Sequence, residues 1–213
     1  MSNVQSPTKK QGLGARQEPG GKPETRSQKL PFVRLRAGQP QAGLTFRLMH
    51  HGEEHTVCEM VHRVFDDSVA PLYSKRGNRS FKKYCDPEEM SHRVNTDHFV
   101  LLSLADGYIA GMIEMRRHRH ISLLFVDPEF QGKGIGGELL RKAVELCRLT
   151  DPHLRELTVN SSPNALGAYE RMGFTSTGGE QVISGVRFIP MKKVLGEDTG
   201  EKGKIRSKVL RDN

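Results

Sequence analysis

Apolar residues are spread unevenly along this chain of 213 residues. From Met1 to about Leu44, Gly, Pro, Gln, Ser and Lys dominate, and large apolar side chains are scarce. Such a segment buries too little surface to offset its ordering entropy, so 1–44 is expected to be disordered. The end, 196–213, "GEDTGEKGKIRSKVLRDN", reads as a flexible tail for the same reason. Between them, 45–195 forms the candidate domain. "TFRLMH" predicts a short strand. Val57, Met60, Val61, Val64 and Phe65 then recur at helical spacing. "DPEEMSHRVN" opens a second helix, with Asp86 as its cap and Pro87 in its first turn. The stretch between these helices, "SVAPLYSKRGNRSFKKYC", reads as a loop.

The period then changes. "HFVLLSLADGYIAGMIEMR" gives two apolar runs around Asp106-Gly107, a hairpin signal, and "HISLLFV" is a further buried strand. A glycine cluster follows. After it, Ile135, Leu139, Leu140, Ala143, Val144 and Cys147 share one helix face, until Asp151-Pro152 stops the helix. "RELTVN" is a strand. "SSPNALGAYERMGF" predicts a short helix with Ser162 as cap, Pro163 at its first position and Gly173 as its stop. "FTSTGG" and "GVRFIPMKK" predict a closing hairpin. A strand–helix–strand unit after an antiparallel meander predicts an α/β fold of the α+β type. Its central sheet is mixed and mainly antiparallel, with helices on both faces.

Charge sharpens this picture once it is located. The net +8 includes eight Lys and Arg against two acids before residue 45, whereas 45–195 carries twenty against nineteen. A nucleic-acid-binding domain would carry its own basic face, so no nucleic-acid partner is expected. Cys58, Cys85 and Cys147 are scattered and odd in number, so neither a disulfide framework nor a metal site is expected. No leader-like start and no apolar run approaching membrane-spanning length is visible, which predicts a cytoplasmic protein with no membrane partner.

The candidate chemistry sits in "FVDPEFQGKGIGGELL". Read alone, its glycines satisfy the dinucleotide pattern GxGxxG. A Rossmann loop, however, belongs to the first βαβ unit and needs an acid at the end of the next strand; Glu156 precedes the apolar part of its strand. A Walker A loop needs Ser or Thr after its lysine, and Lys133 is followed by Gly134. What survives is a strand, a Pro-containing turn and a glycine loop opening into a helix. That arrangement aims backbone N–H groups and a positive helix end at a pyrophosphate. The stretch resembles the acyl-CoA-binding motif [QR]xxGx[GA] of the GNAT-type N-acetyltransferases, which Gln131, Gly134 and Gly136 match. "NSSPNALGAYERMGF" resembles the same family's N…A…YExxGF segment, and the likeness covers roughly Thr45 to Lys193.

The resemblance implies an N-acetyltransferase moving the acetyl group of acetyl-CoA directly to a primary amine. It implies that Leu124, Phe125 and Val126 pair with the pantetheine arm. The amides of Gly132, Lys133, Gly134, Ile135, Gly136 and Gly137 would hold the pyrophosphate, with Gln131 adding a contact. Asn164 would touch the CoA arm or make a local helix-start bond. Tyr169 would be the acid that protonates the departing thiolate. The base stays open between His120, Glu114 and a water chain. His118 reads as a turn residue, and Cys147, on the apolar helix face, as a poor nucleophile. The acceptor is a small molecule or a protein; the basic loop before Cys85 would suit an acidic or phosphorylated one. The oligomeric state stays open, a dimer included. Two alternatives remain: a catalytically silent acyl-CoA-binding regulatory domain on the same fold, and a nucleotide-binding oxidoreductase module.

Overall fold

The computed structural model describes residues 43–196. The expected disordered segment 1–44 and tail 196–213 lie outside the described residues, except at Gly43, Leu44 and Gly196, and Leu44 packs against the domain core. Strand β1 (Thr45–Leu48) precedes α1 (Glu54–Ser68), α2 (Lys75–Tyr84) and α3 (Pro87–Val94). A meander of β2 (His98–Ala105), β3 (Tyr108–Arg116) and β4 (His120–Val126) leads into α4 (Ile135–Thr150) and β5 (Glu156–Ser161). Then come α5 (Leu166–Arg171), β6 (Thr175–Ser176), β7 (Gln181–Ile183) and β8 (Val186–Val194). The strands lie in the order β1-β2-β3-β4-β5-β8-β6, with β7 on β8. Every pairing is antiparallel except β4 with β5. This is the mixed, mainly antiparallel sheet that the sequence predicts. Among the described residues, no helix is long and apolar enough to cross a membrane.

Alternation along β2 and β3 divides the core in two. Leu101, Ile113 and Met115 pack with Leu139, Ala143 and Cys147 of α4. Val100, Leu102 and Met112 pack with Val57, Val61 and Met90 of α1 and α3. Side chains two apart share a sheet face, so each strand feeds both layers. Asp86 caps α3 as expected, accepting from the Glu88 amide at 3.0 Å.

The basic segment after α1 departs from the expected loop: most of it is α2. Its charge hides an inward face at Gly77, Phe81 and Tyr84, spaced for a helix. Ser74 caps it, accepting from the Gly77 amide at 3.1 Å. Gly77 permits close packing, since a Cβ there would lie 2.1 Å from the Gly185 carbonyl oxygen. The C-terminal pairing also differs from a simple hairpin. β8 pairs β5 along one edge, while β6 and β7 share the other. The tight turn is Ser184-Gly185, between β7 and β8. The helix after β5 begins as a 3-10 turn, Pro163–Ala165, and Ser162 makes no side-chain cap bond.

Candidate functional site

The single parallel pairing shapes the site. β4 pairs β3 as far as Val126, but meets β5 only at His120–Thr158 and Ile121–Val159. Beyond Ile121 one edge of β4 faces no strand. A bulge helps: Glu114 lies opposite Leu123 and Met115 opposite Ile121, leaving Ser122 as the extra residue. Bulges bend a strand and raise its twist. The diverging strands bound a cleft of ≈ 620 Å³, lined at its β4 wall by Leu124, Phe125 and Val126.

The glycine loop closes one end. Asp127 starts it, accepting from the Glu129 amide at 3.0 Å and pairing with Arg63 of α1. Gln131 donates from Nε2 to the Val126 carbonyl at 2.9 Å, so its side chain braces the loop. Gly134 precedes α4 with φ 79°, a left-handed conformation that suits glycine. Among the described residues, the amides of Gly132, Lys133 and Gly134 donate to no protein acceptor. The first turn of α4, Ile135–Gly137, has no preceding turn to bond. These donors and the positive helix end are chemically suited to an anion. Gly132, Gly134, Ile135, Gly136 and Gly137 line the cleft. The Lys133 side chain instead lies with its ammonium 5.2 Å from the Phe130 ring centre.

The opposite wall carries Tyr169 and Asn164. Tyr169 is 7% exposed and meets Phe174 edge-on at 5.4 Å. Burial pushes its phenol well above the usual value. Asn164 makes no local helix-start bond. Its Nδ2 donates to the Ser68 carbonyl at 2.9 Å, joining the end of α1 to the segment after β5.

Neither His120 nor Glu114 lines the cleft. His120 Nδ1 lies 2.8 Å from Thr158 Oγ1. Burial, with Arg116 and His98 nearby, pushes its pKa down to about 4, so the ring is neutral at pH 7. Glu114 is fully buried and bonded by Arg93 through two nitrogens, at 2.8 and 3.2 Å. His118 sits with φ 56° in the turn between β3 and β4. Burial pushes the Cys147 thiol up to about 12. Three further residues line the cleft: Tyr73 and Phe81, which belong to the basic segment that the sequence offers for an acceptor, and Ser122, which the sequence does not mark. Phe81 stacks on Phe65 at 3.8 Å. The helical spacing of Gly77, Phe81 and Tyr84 was the available signal for Phe81; a bulge residue such as Ser122 has none.

Residues 69–195 match the family model of an acetyltransferase (GNAT) domain. An uncharacterized N-acetyltransferase of Methanocaldococcus jannaschii is 36% identical over 74 residues, 34% of this chain and 31% of that protein. The peptidyl-lysine N-acetyltransferase YjaB of Salmonella typhimurium is 36% identical over 63 residues, 30% of this chain and 41% of that protein. The chain thus spans less than half the length of these two curated relatives. A GCN5-related N-acetyltransferase structure from Rhodopseudomonas palustris aligns with TM-score 0.63 and 19% identity, over 74% of this chain and 99% of that one. The PaiA N-acetyltransferase of Thermoplasma acidophilum, in complex with coenzyme A, gives 0.60 and 21%, over 72% and 99%. At these identities the structural likeness concerns the fold.

Proposed function

Because the chain belongs to the GNAT acetyltransferase family, we propose that it moves the acetyl group of acetyl-CoA directly onto a primary amine of a small molecule or a protein. The cleft between β4 and β5, ending on the unbonded amides of the glycine loop, carries this reading. The pyrophosphate would sit on the amides of Gly132–Gly137, and the pantetheine arm along Leu124–Val126. Gln131 acts by bracing the loop, and Asn164 by fixing the width of the cleft. A main-chain N–H on the unpaired edge of β4 polarises the thioester carbonyl. The amine nitrogen attacks the carbonyl carbon, the C–S bond breaks, one proton leaves nitrogen and one reaches sulfur. Tyr169 stays protonated at neutral pH and donates toward the departing sulfur. A free thiol has a pKa of about 8.5, so the leaving group needs only modest help. Proton removal from the amine is assigned to water in the cleft, since His120 and Glu114 are engaged outside it.

The similarity to a peptidyl-lysine N-acetyltransferase favours a protein amine among the acceptors to be tried. The proposal includes a cytoplasmic setting, no metal, and neither a nucleic-acid nor a membrane partner. Thiol release from acetyl-CoA, measured across amines and lysine peptides, is the test; release with at least one acceptor class is expected. Tight acetyl-CoA binding with no release from any acceptor would leave a silent acyl-CoA-binding domain. Binding of NAD without binding of acetyl-CoA would sink the reading entirely.

A further inference from the structure

Helix α2 carries a charge arrangement that its own packing does not explain. Its ten residues hold Lys75, Arg76, Arg79, Lys82 and Lys83 and no acid. Gly77, Phe81 and Tyr84 face inward, so all five cations share the outer face, and all are exposed. Arg79 has like-charged neighbours at three or four residues on both sides, each an unfavourable pair. Lys75 and Arg76 also occupy the first turn, where the positive helix end repels cations. Relief from the rest of the domain is thin. Lys82 pairs with Asp66 at 2.8 Å, and Lys83 borders Asp86, the cap of α3, and Glu88 and Glu89 in its first turn. Lys75, Arg76 and Arg79 have no acidic partner among the described residues.

The adjoining surface is apolar. The Ser184-Gly185 turn docks on α2, with Ser74 and Ser80 donating from Oγ to the Gly185 and Ser184 carbonyls, each at 3.4 Å. The same hairpin exposes Val182 and Ile183, at 63% and 61%, on β7. Among the described residues, β7 pairs only β8, so its other edge is open. A cationic helix beside an open apolar strand fits an acidic polypeptide. A phosphate backbone offers nothing for Val182 and Ile183.

We propose that the outer face of α2, with the neighbouring edge of β7, docks an acidic segment of a protein acceptor. This rests on the transferase reading above and names its acceptor class. The geometry also sets a spacing. Phe81 lines the cleft from the opposite side of α2. A helix with its side chains is about 10–12 Å across. An extended chain advances about 3.3–3.6 Å per residue. The acidic block therefore begins roughly three to four residues from the acetylated amine.

The test uses the full chain and fluorescein-labelled peptides carrying one lysine, with a glutamate block about four residues away or a glutamine block in its place. Anisotropy at low and high salt, and thiol release from acetyl-CoA, are read for each. The glutamate peptide is expected to bind about tenfold tighter at low salt, and to lose that advantage at high salt. Arg76→Glu/Arg79→Glu should erase the preference while leaving acetyl-CoA affinity unchanged and without lowering the melting temperature. A glutamate at 76 suits the dipole of the first turn, and one at 79 gains Lys75, Lys82 and Lys83 at three or four residues, so α2 stays folded. Equal binding of the two peptides, or a preference that survives charge reversal, overturns the docking site. So does displacement of the glutamate peptide by poly(U), which would make the face a nucleic-acid surface. Acetylation of amines with no glutamate preference overturns the docking site alone. A glutamate preference that charge reversal erases, without thiol release from any acceptor, keeps the docking face and overturns the transferase reading.

Discussion

Tyr169 and His120 are both site candidates through the family resemblance, and their surroundings separate them. Tyr169 lines the cleft with a phenol that burial keeps protonated. Tyr169→Phe is expected to lower kcat by roughly a hundredfold, with acetyl-CoA affinity unchanged by calorimetry. An unaltered kcat would remove Tyr169 from the acid role. His120 is held neutral, with its pKa down at about 4 against an ordinary 6.5. Between those values the unfolded chain binds a proton that the folded chain refuses. Stability from this group is therefore full above the unfolded value and falls as pH drops toward 4. His120→Gln should flatten that part of the fall in melting temperature. A slope identical to wild type would show that the ring is solvated. None of this was legible in the sequence, because Thr158 and Arg93, which engage His120 and Glu114, sit on other elements. The glycines were legible, because a strand-to-helix turn around an anion needs them locally.

At the scale of elements, long periodic segments declared themselves and short charged ones did not. The β2–β3 hairpin, β4 and α4 follow from alternation, Asp106-Gly107 and a six-residue apolar stripe. Helix α2 escaped, since half of its positions are cationic and its packing depends on Gly185, far along the chain. Gly77→Ala tests that contact. The added Cβ would meet the Gly185 backbone at 2.1 Å, so α2 or the hairpin must shift. Strain of this kind costs about 1–3 kcal/mol. The melting temperature should fall, and acceptor KM should rise more than acetyl-CoA KM, because the glycine loop belongs to a different element. Equal changes in both constants would mean that α2 is not part of an acceptor wall. The divergence of β4 from β5 was also hidden. A sequence marks where a strand begins and ends, but not where its neighbour leaves it.

At the scale of the whole molecule, most of the excess charge lies before the domain, in residues 1–44. Removing residues 1–42 should leave acetyl-CoA affinity and melting temperature unchanged. Loss of binding would make that segment part of the site. Cutting two residues later would remove Leu44, which packs on the core, and is expected to lower the melting temperature. The two halves of the sheet meet through two residue pairs of β4 and β5. That seam has a consequence outside catalysis. A donor seated there binds the folded form alone and adds RT ln(1 + [L]/Kd), about 2.7 kcal/mol at a hundredfold excess over Kd. On the proposed reading, resistance to proteolysis would rise and fall with the cell's acetyl-CoA supply. The protein would then persist in a well-fed cell and turn over sooner in a starved one.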